Sequence, residues 1–313
     1  MQTCLVSGGA GFIGSWLCED LLKVGYRVLC VDNFITGTKD NIAGMLKNKN
    51  FLFIEHDISK PLKINEPLNF IFHLASPASP IDYQKLPIET MLANSLGTYN
   101  MLNLAKEKHA RFLLASTSEV YGDPEEHPQK EDYWGNVNPI GPRSCYDESK
   151  RFAEALAMSF LRVHEIDARI ARIFNTYGPR MRKNDGRVMP NFIMQALKGE
   201  PITVYGDGKQ TRSFCYVSDM VDGMERLMFK DGVGGGAFNI GNPDEISILE
   251  LAEMIKEMTK SDSKIVFRPV PIDDPVRRRP DTGKAAGILW WEPKIGLEEG
   301  LVITIHYFHE MVK

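Results

Sequence analysis

The sequence predicts an α/β fold, a doubly wound parallel sheet carrying a smaller α/β substrate-binding lobe, on three observations. Short apolar runs of strand length alternate with amphipathic stretches through the first 175 residues. The first run passes directly into a glycine-rich turn, GGAGFIG, which opens a helical pattern. After about residue 175 that rhythm gives way to turn-rich and basic segments, as a second body would require. A length of 313 residues is about twice that of an average domain and leaves room for both.

The strand-like runs are TCLVS (3–7), RVLCV (27–31), FLFIE (51–55), NFIFH (69–73), RFLLAS (111–116) and ARIARI (168–173). Most are apolar at successive positions rather than at alternate ones, the pattern of strands covered on both faces in a parallel sheet. Helical periodicity fills the gaps at 12–24, 87–108 and 146–164, and right-handed crossovers follow. Residues 214–230 and 237–240 read as one more helix and a strand returning to the first sheet. The dinucleotide body is therefore expected over 1–175 plus about 214–242, and the substrate lobe over about 176–213 plus 243–313. From residue 247 onward two helices flank a basic, proline-punctuated connection.

Apolar residues at 43% and charged residues at 25% are ordinary for a folded chain, so disorder is excluded as the default. Lys plus Arg total 37 against 41 Asp plus Glu, and the net charge of −4 argues against a general nucleic-acid or anionic-membrane surface. An anionic ligand must then be met by local basic groups. The cysteines, Cys4, Cys18, Cys30, Cys145 and Cys215, are odd in number and lack metal-ligand spacing, which predicts free thiols in a reducing compartment and no metal centre. No apolar run is long enough to span a bilayer, and a strand pattern begins at the third residue. Cytoplasmic residence without nucleic-acid or membrane partners is the expectation.

The glycine string places Gly8, Gly9, Gly11 and Gly14 between a strand and a helix and fits GxGxxG from Gly9 or GxxGxxG from Gly8. Missing Cβ atoms let the backbone turn tightly, let a pyrophosphate approach the helix N–H groups, and let the helix pack on the strand. Phe12 and Ile13 occupy the first turn of that helix. Asp32, in VDN at the end of the second strand, offers a carboxylate to ribose hydroxyls and repels a 2′-phosphate, so a Rossmann-type site for NAD rather than NADP is expected. The alternative is that Asp32 only caps a turn with Asn33. Asp57, in HDI, either approaches the adenine or is a solvated loop acid. Asn33, Ile58 and Leu74 complete the candidate cofactor set.

Tyr146 and Lys150, in CYDESK, lie one helical turn apart and share a face. An ammonium beside a phenol favours phenolate, and a base working near neutrality needs a pKa far below the usual value of about 10. Alone, such a pair is as readily a surface pair; beside a dinucleotide loop it points to proton transfer. Upstream, the fifth strand ends in STSEVYG, and strand carboxyl ends face the crevice of an open α/β sheet. Thr117 can there bond a substrate hydroxyl, and Glu119 can orient a sugar hydroxyl or relay a proton. Ser116 and Ser118 have ordinary strand-end capping as their alternative.

GGAGFIG, VDNF, HLASPASP, STSEVYG, the Tyr146/Lys150 pair and ARIFNTYGPR together resemble the extended short-chain dehydrogenase/reductases that act on nucleotide sugars. The longer strings STSEVYGDPEEHPQKEDYWGNVNPIGPRSCYDESKR, NDGRVMPNFI and VYGDGKQTRSFCYVSDM are similar to the UDP-glucuronate decarboxylases within that superfamily, and the resemblance spans essentially the whole chain. Ser7 and Ser149 depart from it where relatives often carry Thr and Gly. The related 4,6-dehydratases place Asp-Glu after the catalytic Thr, whereas Ser118 stands here; simple C4 epimerases usually lack the glutamate.

The resemblance implies catalytic roles for Thr117, Ser118, Glu119, Tyr146, Lys150 and Arg278. It implies that Arg212 and Arg278 hold the diphosphate, with Arg278 also near the sugar carboxylate, although a run of arginines at 277–279 alone reads as a solvated face. Asn175, Val188, Asn191, Tyr205 and Gln210 match positions that contact phosphate, uracil or ribose; Tyr205 could stack on uracil or be a core aromatic. The implied reaction converts UDP-glucuronate to UDP-xylose and CO2 through a 4-keto sugar, with NAD+ regenerated. The implied assembly is a homodimer through a four-helix interface built from 87–108 and 146–164. A 4-epimerase, a 4,6-dehydratase, release of the 4-keto pentose and a non-catalytic NAD-binding regulator stay open.

Overall fold

Seven parallel strands form the principal sheet of the computed structural model, which describes residues 1–270, 273, 275 and 277–312. They are β1 (Thr3–Ser7), β2 (Arg27–Asp32), β3 (Phe51–Glu55), β4 (Phe70–His73), β5 (Arg111–Thr117), β6 (Ala168–Ile173) and a last strand at Ala237–Ile240. In space they run β3-β2-β1-β4-β5-β6 and then Ala237–Ile240, so the winding reverses between β1 and β4. Ser7 is in register with both Val31 and His73. The carboxyl ends on either side of that reversal form the crevice in which open α/β sheets bind ligands.

The continuous apolar runs behave as their patterns require. Cys4 and Val6 of β1 pack on one side with α1 (Phe12–Lys23), while Leu5 packs on the other. The opposite layer holds α2 (Pro80–Lys85), α3 (Pro87–Leu92), α4 (Thr98–Lys108) and α5 (Ser144–His164), where Met101, Leu102, Ala153 and Ala157 meet Leu5, Leu29 and Leu114. The edge strand β3 is the exception to two-sided burial, with Leu52 turned to solvent. Residues 87–108 are helical throughout, but Ala93–Gly97 forms a π-turn between α3 and α4. Gly97 there lies against Ile58, and a Cβ on it would sit 2.1 Å from the Ile58 side chain.

The second body is built on α6 (Val188–Lys198), followed after α7 (Val217–Phe229) by α8 (Ile248–Met258) and α9 (Leu297–Val312). Phe192, Ile193, Leu251, Ile255, Leu301 and Phe308 share one core there, whereas Met220, Met224 and Leu227 of α7 join the core under the principal sheet. The helix expected over 214–230 begins only at Val217, because Cys215–Tyr216 pairs as a short parallel strand with Thr176–Tyr177. Ile202–Tyr205 pairs with Ile265–Arg268. Thr211–Ser213 is flanked by Glu245–Ser247 and Arg277–Arg278, a register that sets Arg212 beside Arg278. Among the described residues no helix is long and apolar enough to cross a membrane.

Candidate active site

A cleft of about 680 Å³ opens at the carboxyl ends of β1, β2, β4 and β5 and is walled on its far side by the second body. Apart from Gly9, every cofactor, catalytic and substrate residue singled out in the sequence lines it. At the β1 end, Gly8 adopts φ +75°, and a Cβ on it would lie 2.7 Å from the Ala75 nitrogen. A Cβ on Gly14 would lie 2.1 Å from the Gly8 carbonyl oxygen. Only glycine lets α1 come this close to the loop, which is the cradle a pyrophosphate needs.

Asp32 is buried and accepts hydrogen bonds from Ala10 N at 3.0 Å and Phe34 N at 2.8 Å. It therefore fixes the glycine loop as well as facing the cleft, and burial raises its pKa. Asn33 accepts from Ile35 N at 3.1 Å. Asp57 lines the cleft while capping its own turn through Ser59 N at 3.0 Å. Below the loop, His73 bridges the hydroxyls of Ser7 (2.7 Å) and Thr98 (3.1 Å). Burial first, and then the charge of Lys150, push its pKa down to about 3, so it is a neutral structural link.

α5 brings Tyr146 and Lys150 to the end of β5. The Thr117 hydroxyl lies beside the Tyr146 phenol and favours its ionised form, and Lys150 Nζ donates to the Ala115 carbonyl at 2.8 Å, 5.8 Å from the centre of the Tyr146 ring. The expected lowering of the phenol is not what the protein alone produces. Burial dominates and pushes Tyr146 up to about 12, against smaller lowering effects from Thr117 and Arg187. Burial likewise lowers Lys150 to about 8, because an ammonium is poorly solvated there. Ser116 turns to Glu154 at 2.6 Å and takes no part in the pair, whereas Ser118 is buried at the base of the cleft.

The Glu119 carboxylate is clamped between Arg143 Nη2 at 2.7 Å and the Arg278 guanidinium. Although burial opposes ionisation, the two cations hold it well below the usual carboxylate range, which favours the orienting role over that of a proton donor. Arg278 is 2% exposed, no solvated face, and also donates to the Gly122 carbonyl at 2.6 Å; among the described residues its Nε has no partner. Arg212 donates to the carbonyls of Thr211 and Pro275. Asn191 donates to the Gly186 carbonyl, and Gln210 to that of Tyr205, whose ring is 45% exposed and so is not a core aromatic. Asn175 receives Cys215 N through its backbone, and Val188 opens α6.

Four residues the sequence reading missed also line the cleft: Tyr83, Arg143, Arg182 and Arg187. Arg143 immediately precedes α5, and its position three residues before Tyr146 was the available signal. Tyr83 lies on α2, which Ser79 caps and Pro80 begins, a helix start legible as SPID.

This combination of fold and site defines a class. Residues 4–241 match the NAD dependent epimerase/dehydratase family, and the chain belongs to it. It is 54% identical over 308 residues to UDP-glucuronic acid decarboxylase 4 of Arabidopsis thaliana, covering 98% of this chain and 69% of that protein. It is 55% identical over 304 residues to UDP-glucuronic acid decarboxylase 1 of Danio rerio, covering 97% and 72%. Among solved structures, UDP-glucuronic acid 4-epimerase from Bacillus cereus, in complex with UDP-glucuronic acid and NAD, superposes with a TM-score of 0.88 at 29% identity, over 99% of this chain and all of that one.

Proposed function

We propose that this protein converts UDP-glucuronate to UDP-xylose and CO2, with NAD+ regenerated in each turnover. The observation that carries the reading is the buried Arg143–Glu119–Arg278 cluster beside Tyr146. The Arg143 and Arg278 guanidinium groups converge there on Glu119, and burial together with Glu119 holds the neighbouring Asp147 towards its neutral form. Such a pocket suits a sugar carboxylate. Ser118 stands where the 4,6-dehydratases carry the Asp that expels the C6 hydroxyl, which weighs against that reading.

The loop of Gly8, Gly11 and Gly14, with Phe12, Ile13, Asp32 and Asn33, would hold NAD, and Asp57, Ile58 and Leu74 lie along the same side of the cleft. When bound, NAD+ supplies the acceptor and later the donor of hydride at sugar C4, and its positive charge offsets the burial that raises Tyr146. Tyr146 takes the C4 hydroxyl proton, with Thr117 bonding the same oxygen. The product is a β-keto acid, whose C5–C6 bond breaks to release CO2 and leave its electron pair as an enolate stabilised by the Tyr146 and Thr117 hydroxyls. C5 then takes one proton from solution, and Tyr146 returns its own to O4. Arg278 holds the carboxylate until it leaves, and Arg212 holds the diphosphate.

Incubation with UDP-glucuronate without added cofactor, followed by mass spectrometry of the nucleotide sugar, tests the reading. Loss of CO2 without lasting NADH is expected. Unchanged mass with inverted C4 would mean an epimerase, NADH accumulating with a 4-keto pentose a half-reaction, and no turnover with bound NAD a non-catalytic regulator.

Three further expectations belong to the same proposal. A dinucleotide body of 1–175 plus about 214–242 and a substrate lobe of about 176–213 plus 243–313 are supported by the separate core around α6, α8 and α9, although Phe214, Tyr216 and Val217 join that core and Ala285, Leu289 and Trp291 join the one under the principal sheet. A homodimer through α3, α4 and α5 is supported by Ile88, Leu96, Tyr99 and Phe152, large apolar side chains exposed on those helices and the turn between them; sedimentation would test it. The five free, buried cysteines favour a reducing, cytoplasmic compartment.

A further inference from the structure

The short helix α2 reaches both walls of the cleft with adjacent side chains. Its Asp82 carboxylate pairs with Arg182, on the loop leading into α6. Its next residue, Tyr83, is 1% exposed and lies face to face with Tyr146, the ring centroids 5.1 Å apart and the planes 7° from parallel. That separation is within the range of attractive aromatic pairs. The helix is itself well held: Ser79 caps Asp82 N and donates to the Asp82 carboxylate at 2.7 Å, and Cys145 Sγ approaches the Tyr83 carbonyl at 3.5 Å. Burial holds the Tyr83 phenol in its neutral form, and among the described residues its hydroxyl has no partner. Its ring is the part of Tyr83 that meets Tyr146.

We propose that Tyr83 is a positioning residue for Tyr146, its ring fixing the plane of the catalytic phenol, and that the Asp82–Arg182 pair couples this ring to the substrate side of the cleft. The proposal rests on the proton-transfer role given to Tyr146 above. A phenol held only at its oxygen, by Thr117, can still swing about its Cβ–Cγ bond. A base a fraction of an ångström out of place loses most of its effect. The stacked ring removes that freedom and adds to the burial that raises the Tyr146 pKa.

Tyr83→Leu, Tyr83→Phe and Arg182→Gln would be compared with the wild-type chain for kcat, KM, the pH dependence of kcat, NAD content and thermal stability. Tyr83→Leu should lower kcat by about 10²-fold with little change in KM, the cost of a misplaced reacting group. It should also move the acid limb of the kcat profile to lower pH, because water then reaches the phenol. Tyr83→Phe, which keeps the ring, should restore most of both. Arg182→Gln, altering a side chain 26% exposed, breaks the tie without touching the buried ring and should lower kcat in the same way by a smaller factor. An unmoved limb in Tyr83→Leu together with an unchanged kcat in Arg182→Gln, whatever happens to stability, returns Tyr83 to a packing role and overturns the proposal. A wild-type chain that inverts C4 instead of releasing CO2 would sink the decarboxylase reading alone, since the Tyr83 comparison can be read on that turnover.

Discussion

Lys150 Nζ lies 5.8 Å from the centre of the Tyr146 ring and donates its hydrogen bond to the Ala115 carbonyl, not to the phenol. Tyr146→Phe should lower kcat by about 10²–10⁴-fold, the usual worth of a positioned acid–base group, while NAD stays bound. Lys150→Met should cost less and move the acid limb of kcat to higher pH, since a nearby positive charge favours phenolate. With Lys150 near 8, the wild-type profile should also fall on the alkaline side as that charge is lost. Stopped-flow or coupled assays across pH would check all three, and a Lys150→Met limb that does not move would restrict the lysine to holding β5.

Glu119 and Arg278 give a second test. Glu119→Gln removes the anion set between two buried guanidinium groups, and breaking a buried pair in this way typically costs about 3–5 kcal/mol. Its thermal unfolding should come early, and its loss of turnover should accompany the loss of stability. A Glu119→Gln protein of wild-type stability but low kcat would restore the proton relay. Arg278→Ala should raise KM for UDP-glucuronate more than it lowers the melting temperature; unchanged kinetics would remove Arg278 from substrate binding.

The glycine loop offers a third. Gly14→Ala would put a methyl group 2.1 Å from the Gly8 carbonyl, a backbone atom that cannot give way cheaply. Pushing α1 off the loop should cost about 1–3 kcal/mol and spoil the dinucleotide cradle. The variant should therefore purify with less NAD, by absorbance after denaturation, and melt earlier. NAD content equal to wild type would show that the cradle tolerates the shift.

The principal sheet was legible because its strands are covered on both faces, so runs such as TCLVS carry their burial in their composition. The second body was not: its strands are two to four residues long, too short for any periodicity, and their pairings join segments as distant as Thr211–Ser213 and Arg277–Arg278. The site was legible where a motif fixes both residue type and spacing, as at Gly8, Asp32, Tyr146 and Lys150. It was opaque where a side chain acts through a neighbour. Nothing in HLASPASPIDY announces that Tyr83 will stack on Tyr146, and Glu119 reads as an acid until Arg143 and Arg278 are seen on both sides of it. The electrostatics was legible only in part for the same reason, since the burial that raises Tyr146 is a property of the assembled cleft.

The last prediction lies outside the cleft, where α1 meets α7. Glu225 of α7 is half-buried beside Asp20 of α1, and burial first and then the Asp20 charge raise its pKa to about 8. Because the folded state holds this proton more tightly than the unfolded chain, stability falls as pH rises from about 4.5, the ordinary value, to about 8, and the full penalty applies above that. Glu225→Gln keeps the shape and removes the ionisation. Melting curves of the two proteins should coincide near pH 4.5 and separate progressively, with Glu225→Gln the more stable above pH 8. Each kcal/mol of difference should appear as about 2–4 °C, the scale for chains of roughly this size. Differential scanning fluorimetry from pH 4.5 to 9 would resolve it, and a constant offset across that range would mean that Glu225 is already ionised in the folded protein.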